Sequence, residues 1–190
     1  MKKLMTAAVA AIAVLTATPS FAADAHSSSS LAFSLNGSVS EICGVYSKSG
    51  TTVPIAFGDL ATVADSTLVT KSLGDVSYRC NDANGFTRVI HSANGGKLVR
   101  TGGSGDQYNS IAYIFNQSGN AGISVSDTSL SADVDTTFAG SHQLLEGQRG
   151  TASFKLNGVF NTNSSAGNAP GTTVFAGDYT DTVTITVTGA

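Results

Sequence analysis

An all-β fold, an antiparallel sandwich with Greek-key connections, is predicted by three observations. Short segments alternate apolar and polar residues at a spacing of two, turn signals built from Gly, Asn and Ser separate them, and no stretch of ten or more residues carries a helical apolar stripe. The clearest segment is the last, GDYTDTVTITVTGA: Tyr179, Val183, Ile185 and Val187 share one face, and Thr182, Thr184, Thr186 and Thr188 fill the other. It reads as a strand packed on a sheet by one side.

The remaining elements follow in chain order. Leu31, Phe33 and Leu35 alternate with Ser30, Ala32 and Ser34 in a loose apolar arm near the amino end. Ser38 to Cys43 and Thr52 to Phe57 are predicted strands, as is Leu73 to Cys80, where Val76 and Tyr78 fall in phase with Cys80. Asn84-Gly85 is a hairpin-type signal ahead of a strand from Phe86 to His91, which Asn94-Gly95-Gly96 ends. Ile111 to Asn116 reads as a strand buried on both faces, Ile111, Tyr113 and Phe115 on one and Ala112 and Ile114 on the other. Thr151 to Phe160 is another strand, with Phe154 and Leu156 in phase and a bend or bulge at Asn157-Gly158. Leu60 to Lys71 is the nearest approach to a helix, weakened by its Thr and Val, and Asn161 to Gly171 is a polar loop.

Met1 to Ala22 has the layout of a secretory signal: Lys2 and Lys3, an apolar run from Ala7 to Leu15, then Ser20-Phe21-Ala22. That run falls well short of the roughly 20 apolar residues a membrane-spanning helix needs. The expected exported protein is thus a single soluble domain. Loss of two lysines takes its formal charge from -3 to about -5, which disfavours nucleic acid as a partner. Only 12% of residues are charged and tryptophan is absent, which suits an extracellular β-protein. In an oxidising compartment Cys43 and Cys80 are expected to form a disulfide; a metal site would need ligands that the spacing of His91 does not supply.

Catalytic signals are missing from the pattern. His26, His91 and His142 fall in no motif, no G-x-S-x-G elbow occurs, and Gly102, Gly103 and Gly105 read as a surface turn, since no Lys-Ser/Thr follows them. Asp127, Asp133 and Asp135 match no calcium loop and read as a solvated loop. Sequons at Asn36, Asn116 and Asn163 are of a kind common by chance in this composition. The expectation is a protein without enzymatic activity and without cofactor or metal. A loose apolar strand near one end and a packed strand at the other instead suit copies that join end to end.

The order of these features resembles the pilin subunits of chaperone-usher fimbriae, in particular the spore coat protein U-like secreted pilins. The residues that carry the resemblance are the arm, NGSVSEIC with the first cysteine, DVSYRC with the second, and the closing GDYTDTVTITVTGA. The resemblance implies an incomplete immunoglobulin-like sandwich whose missing strand is donated by another subunit, with no enzymatic role. It divides the chain into a signal at 1–22, a donor-strand extension at 23–37 and a pilin domain at 38–190. Leu31, Phe33 and Leu35, flanked by Ser29 or Gly37 as small positions, become the donor side chains, and Tyr179, Val183, Ile185 and Val187 the core face of the last strand. Implied partners are neighbouring pilin subunits, a periplasmic chaperone, an outer-membrane usher and an unidentified surface or host receptor, with export through the periplasm to a cell-surface fibre for adhesion or biofilm growth. Two other classes compete: a secreted carbohydrate-binding sandwich or tip adhesin using Tyr46, Tyr108 and Tyr113, and a hydrolase, which would need a cluster of titratable groups.

Overall fold

The computed structural model describes residues 32–120, 122–161 and 170–190. The chain divides into two units, Met1–Ser38 and Val39–Ala190, and the fold is that of the second. Its strands are β1 (Cys43–Ser47), β2 (Leu68–Cys80), β3 (Phe86–Ser92), β4 (Lys97–Arg100), β5 (Ser110–Ala112), β6 (Ile114–Gln117), β7 (Val125–Thr128) and β8 (Val134–Phe138). A short helix α1 (His142–Glu146) precedes β9 (Gln148–Asn157), β10 (Phe160–Asn161), β11 (Gly171–Thr172), β12 (Tyr179–Thr180) and β13 (Val183–Gly189).

Two layers enclose the core. One is a five-stranded antiparallel sheet in the order β1-β2-β9-β6-β7; the other comes in two parts, β13-β3-β8 and β12-β4-β5, with β10-β11 as a separate pair. Tyr78 of the first layer stacks on Phe86 of the second at 6.1 Å, and Phe86 on Phe138 at 4.5 Å. Tyr113 meets Phe154 edge-on at 5.3 Å. In an immunoglobulin-type sandwich strands A, B, E and D share one sheet and C, F and G the other. Here β1, β2, β9 and β6 take the A, B, E and D places, and β3 and β13 those of C and F. At the G place, beside β13, no described strand is paired.

Several expected elements are redrawn by tertiary pairing. The strand foreseen at Ser38 to Cys43 begins only at Cys43, opposite Cys80, because β2 ends there; Asn81 then holds Ile42 by accepting from its N–H at 2.6 Å. Asn84-Gly85 makes no hairpin: β2 and β3 lie in different layers, so the turn carries the chain across the sandwich. Gly85 serves that crossing with a φ of +99° and an open Cα, where a Cβ would fall 1.8 Å from the Phe138 carbonyl oxygen. Ile111 to Asn116 is buried on one face only, and it breaks at Tyr113, where the chain leaves β5 in one layer and enters β6 in the other. Leu60–Thr62 is one 3-10 turn, not a longer helix. Asp127 and Asp135 lie on β7 and β8 and not in a loop. Most of the Asn161 to Gly171 loop lies outside the described residues.

Cys43 and Cys80 form a disulfide that closes a sequence separation of 37. It ties the β1 edge to the sheet at one end. In the chain-entropy account a loop of this length is worth about 4 kcal/mol, so a Cys43→Ser, Cys80→Ser double variant should lose roughly 2 to 5 kcal/mol in denaturant unfolding. A loss under about 1 kcal/mol would mean that the pairing with β2 alone holds β1.

Candidate functional site

The site is built on the carboxyl-terminal strand. The inward Val183, Ile185 and Val187 of β13 are only half-buried, although they sit on the core side, while the intervening threonines face solvent. One edge of β13 pairs with β3 from Val183↔Ser92 to Gly189↔Phe86, and the other pairs with no described strand. Across from that open edge runs the segment Thr52 to Phe57. It was expected to be a strand, and its Val53, Ile55 and Phe57 do turn one face to the core at a spacing of two. Yet residues 51–58 make no backbone hydrogen bond to any described residue, so this edge is open too. Pro54, which lacks an N–H, is tolerated at such an edge.

Between the two edges the core is laid bare. A cavity of about 490 Å³ is walled by Val53, Ile55 and Phe57 on one side and residues 181–185 on the other, with Leu73, Phe115 and Phe154 in its floor. A second cavity of about 780 Å³ continues it past Tyr179, over Leu60, Ile111 and Val159. Ile55, Phe57, Leu98 and Asp181 line both, which makes them one long groove. An apolar trough flanked by two rows of unpaired N–H and C=O groups is the shape of a missing strand.

Asp181 stands where the two cavities meet, and the sequence reading overlooked it. It lies in phase with Tyr179, Val183, Ile185 and Val187, so the alternation that turns them inward turns a carboxylate inward as well; that phase is the signal that marks it. Its Oδ2 accepts from Ser92 Oγ and from Tyr113 OH, each at 2.6 Å. Its Oδ1 accepts from the backbone N–H groups of Asn94 and Thr182 at 3.0 and 2.7 Å. These bonds pin the break between β12 and β13 to the turn between β3 and β4. Burial, reinforced by the hydrogen bond to Asp181, pushes the Tyr113 phenol well above its ordinary range.

The other foreseen residues are scattered. In the amino-terminal unit Phe33 and Leu35 are exposed at 80% and 91%, Gly37 has open space where a side chain would stand, and Leu31 lies outside the described residues. Tyr113 is buried in the core, whereas Tyr46 on β1 and Tyr108 in the β4–β5 loop are exposed, the first lining a hollow with Ile42 and Leu145 and the second standing by Phe175. His91 pairs with Asp133 at 2.6 Å and Asp127 with Lys155 at 2.7 Å, both on the exterior. His26 is outside the described residues, and among the described ones no three His, Cys, Asp or Glu side chains gather as metal ligands. Among the described residues, no helix is long and apolar enough to cross a membrane.

No family model and no curated protein matches the chain. Among solved structures it is similar to one described as a chaperone–tip adhesin complex vital for activation of CFA/I fimbriae biogenesis, at 10% identity and a TM-score of 0.35. The alignment covers 78% of this chain and 41% of that one, so the chain spans less than half of that neighbour's length.

Proposed function

We propose that this protein is a non-enzymatic structural subunit of a chaperone-usher surface fibre, in which the amino-terminal arm of one copy fills the groove of the next. The observation that carries the reading is the groove, apolar at its floor and open at both strand edges. A strand laid there gains backbone hydrogen bonds from β13 and from the segment 52–58, and its alternate side chains enter the core.

Pattern matching gives the direction of that strand. Antiparallel to β13, the series Leu31, Phe33, Leu35, Gly37, Val39 lies against Val187, Ile185, Val183, Asp181, Tyr179. Three large apolar residues then meet three apolar partners, and the residue without a side chain falls at the carboxylate, where a bulky apolar group would strip water from a charge. Antiparallel pairing is also the more stable kind per residue and completes the C-F-G sheet. A vacant groove of this kind exposes both core and edge, which is why a periplasmic chaperone and an outer-membrane usher belong to the reading.

The test is assembly on the cell surface or with a co-expressed chaperone and usher. Unboiled samples in sodium dodecyl sulfate should run as a ladder of oligomers, and changing Leu31, Phe33 and Leu35 to Ser should collapse the ladder to monomer. A ladder indifferent to those changes rejects the arm as donor.

A further inference from the structure

We propose that subunits joined through the groove also meet body to body, a hollow at the root of the arm in one copy receiving an aromatic loop beside the groove of the next. This rests on the strand-donation reading and adds a second surface to it. Its first ground is chain length. In the antiparallel register Val39 lies beside Tyr179 of the acceptor, and only Ser40 and Glu41 separate Val39 from Ile42, a reach of at most about 11 Å. The surface around Ile42 is therefore held against whatever surrounds the acceptor's Tyr179.

Both surfaces carry the marks of a contact. Around Ile42 lies a hollow of about 680 Å³ walled by Tyr46, Leu145, Arg79 and Arg149. Ile42, Tyr46 and Leu145 are exposed at 57%, 48% and 52%, unusual for apolar side chains grouped at one depression. Each arginine makes a single side-chain contact among the described residues, Arg79 to the Glu146 carbonyl at 3.3 Å and Arg149 to Asp75 at 3.6 Å, so donors remain on both.

At the acceptor end, Tyr179 OH donates to the Phe175 carbonyl at 2.6 Å, and the Phe175 N–H donates to the Tyr108 carbonyl at 2.9 Å. This scaffold holds out the rings of Phe175 and Tyr108, 6.0 Å apart and each more than half exposed. Asp178 and Asp59 line the same cavity mouth, and the Asp178 carboxylate has no hydrogen bond to any described residue. Arg79 and Arg149 outnumber Glu146 in the hollow, and Asp59 and Asp178 outnumber Arg100, whose guanidinium lies 5.7 Å from the Phe175 ring, so a net positive, aliphatic hollow faces a net negative, aromatic loop. The occupant is a second copy of this chain.

The experiment is site-directed cross-linking in assembled fibres. The two native cysteines are locked in their disulfide, so a short bis-maleimide reacts only with introduced thiols. A Leu145→Cys, Phe175→Cys chain should give a ladder that survives boiling, while Leu145→Cys paired with Ser126→Cys, on the far edge strand β7, should give monomer. Changing Arg79 and Arg149 to Glu should suppress the cross-link, and adding Asp59→Arg with Asp178→Arg should restore it. An intact unboiled ladder with no boil-resistant product overturns this contact and leaves strand donation standing; so does a cross-link equal to that of the control pair or indifferent to charge reversal. Loss of the unboiled ladder already in the unmodified protein would instead reject strand donation itself.

Discussion

A peptide of residues 27–39, added to a full chain whose own arm carries Ser at positions 31, 33 and 35, should raise the thermal midpoint of that chain by about 10 °C or more at saturation. The size follows from the groove. Three or four apolar side chains, each worth about 1.5 to 3 kcal/mol when buried, bring about 5 to 10 kcal/mol. Ordering a free segment costs about 2 to 5 kcal/mol of that. The remainder is a large share of the roughly 5 to 15 kcal/mol by which a domain is ordinarily stable. Calorimetry with and without peptide gives the shift directly. The same peptide with Ser at 31, 33 and 35 should leave the midpoint where it was, and if the two peptides act alike, the groove does not accept this strand.

Replacement of Asp181 by Ala should destabilise the sandwich by about 3 to 5 kcal/mol, although the residue lines a surface groove. Four donors lose their acceptor at once, and two belong to buried residues, Tyr113 and Ser92. Each buried donor left unpaired costs about 1 to 3 kcal/mol. Asp181→Asn keeps the shape with one carbonyl oxygen in place of two carboxylate oxygens, and should cost about half as much. Urea unfolding of Asp181→Ala, Tyr113→Phe and the double variant tests the mechanism: the double should be less costly than the sum, since Tyr113→Phe removes one of the orphaned groups. Strict additivity, or a cost for Asp181→Ala under about 1 kcal/mol, would show that the carboxylate does not hold the strand break.

Much of the β architecture is legible because alternation at a spacing of two has one structural meaning. Val76, Tyr78 and Cys80, and Phe154 and Leu156, are foreseen in phase and are buried. The short strands β7 and β8 escape notice because VSDT and VDTTF are mostly polar, with one or two apolar residues each, and pairing with β6 and β3 makes them strands. Arg88 escapes for a related reason. It stands among the inward residues of β3, between Phe86 and Ile90, and is 1% exposed, with its guanidinium near the Tyr78 and Phe138 rings and donating to the Ile123 carbonyl at 2.6 Å. Partners ten to fifty residues away, on other strands and loops, make that burial tolerable, and a linear pattern holds no trace of them.

The groove divides in the same way. That Val183, Ile185 and Val187 form one face, and that Val53, Ile55 and Phe57 form another, is a property of sequence alone, because backbone geometry puts alternate side chains on one side of any extended chain. That these two faces lie across from each other with no described strand between them is decided by tertiary structure. Sheet pairing distributes the strands so that β3 takes one edge of β13 and β2 takes β1, leaving the far edge of β13 and the whole of 52–58 without a partner strand among the described residues. Hydrogen bonds between strands are made by backbone atoms common to every residue, so side-chain order states which face is apolar but not which edge is left open.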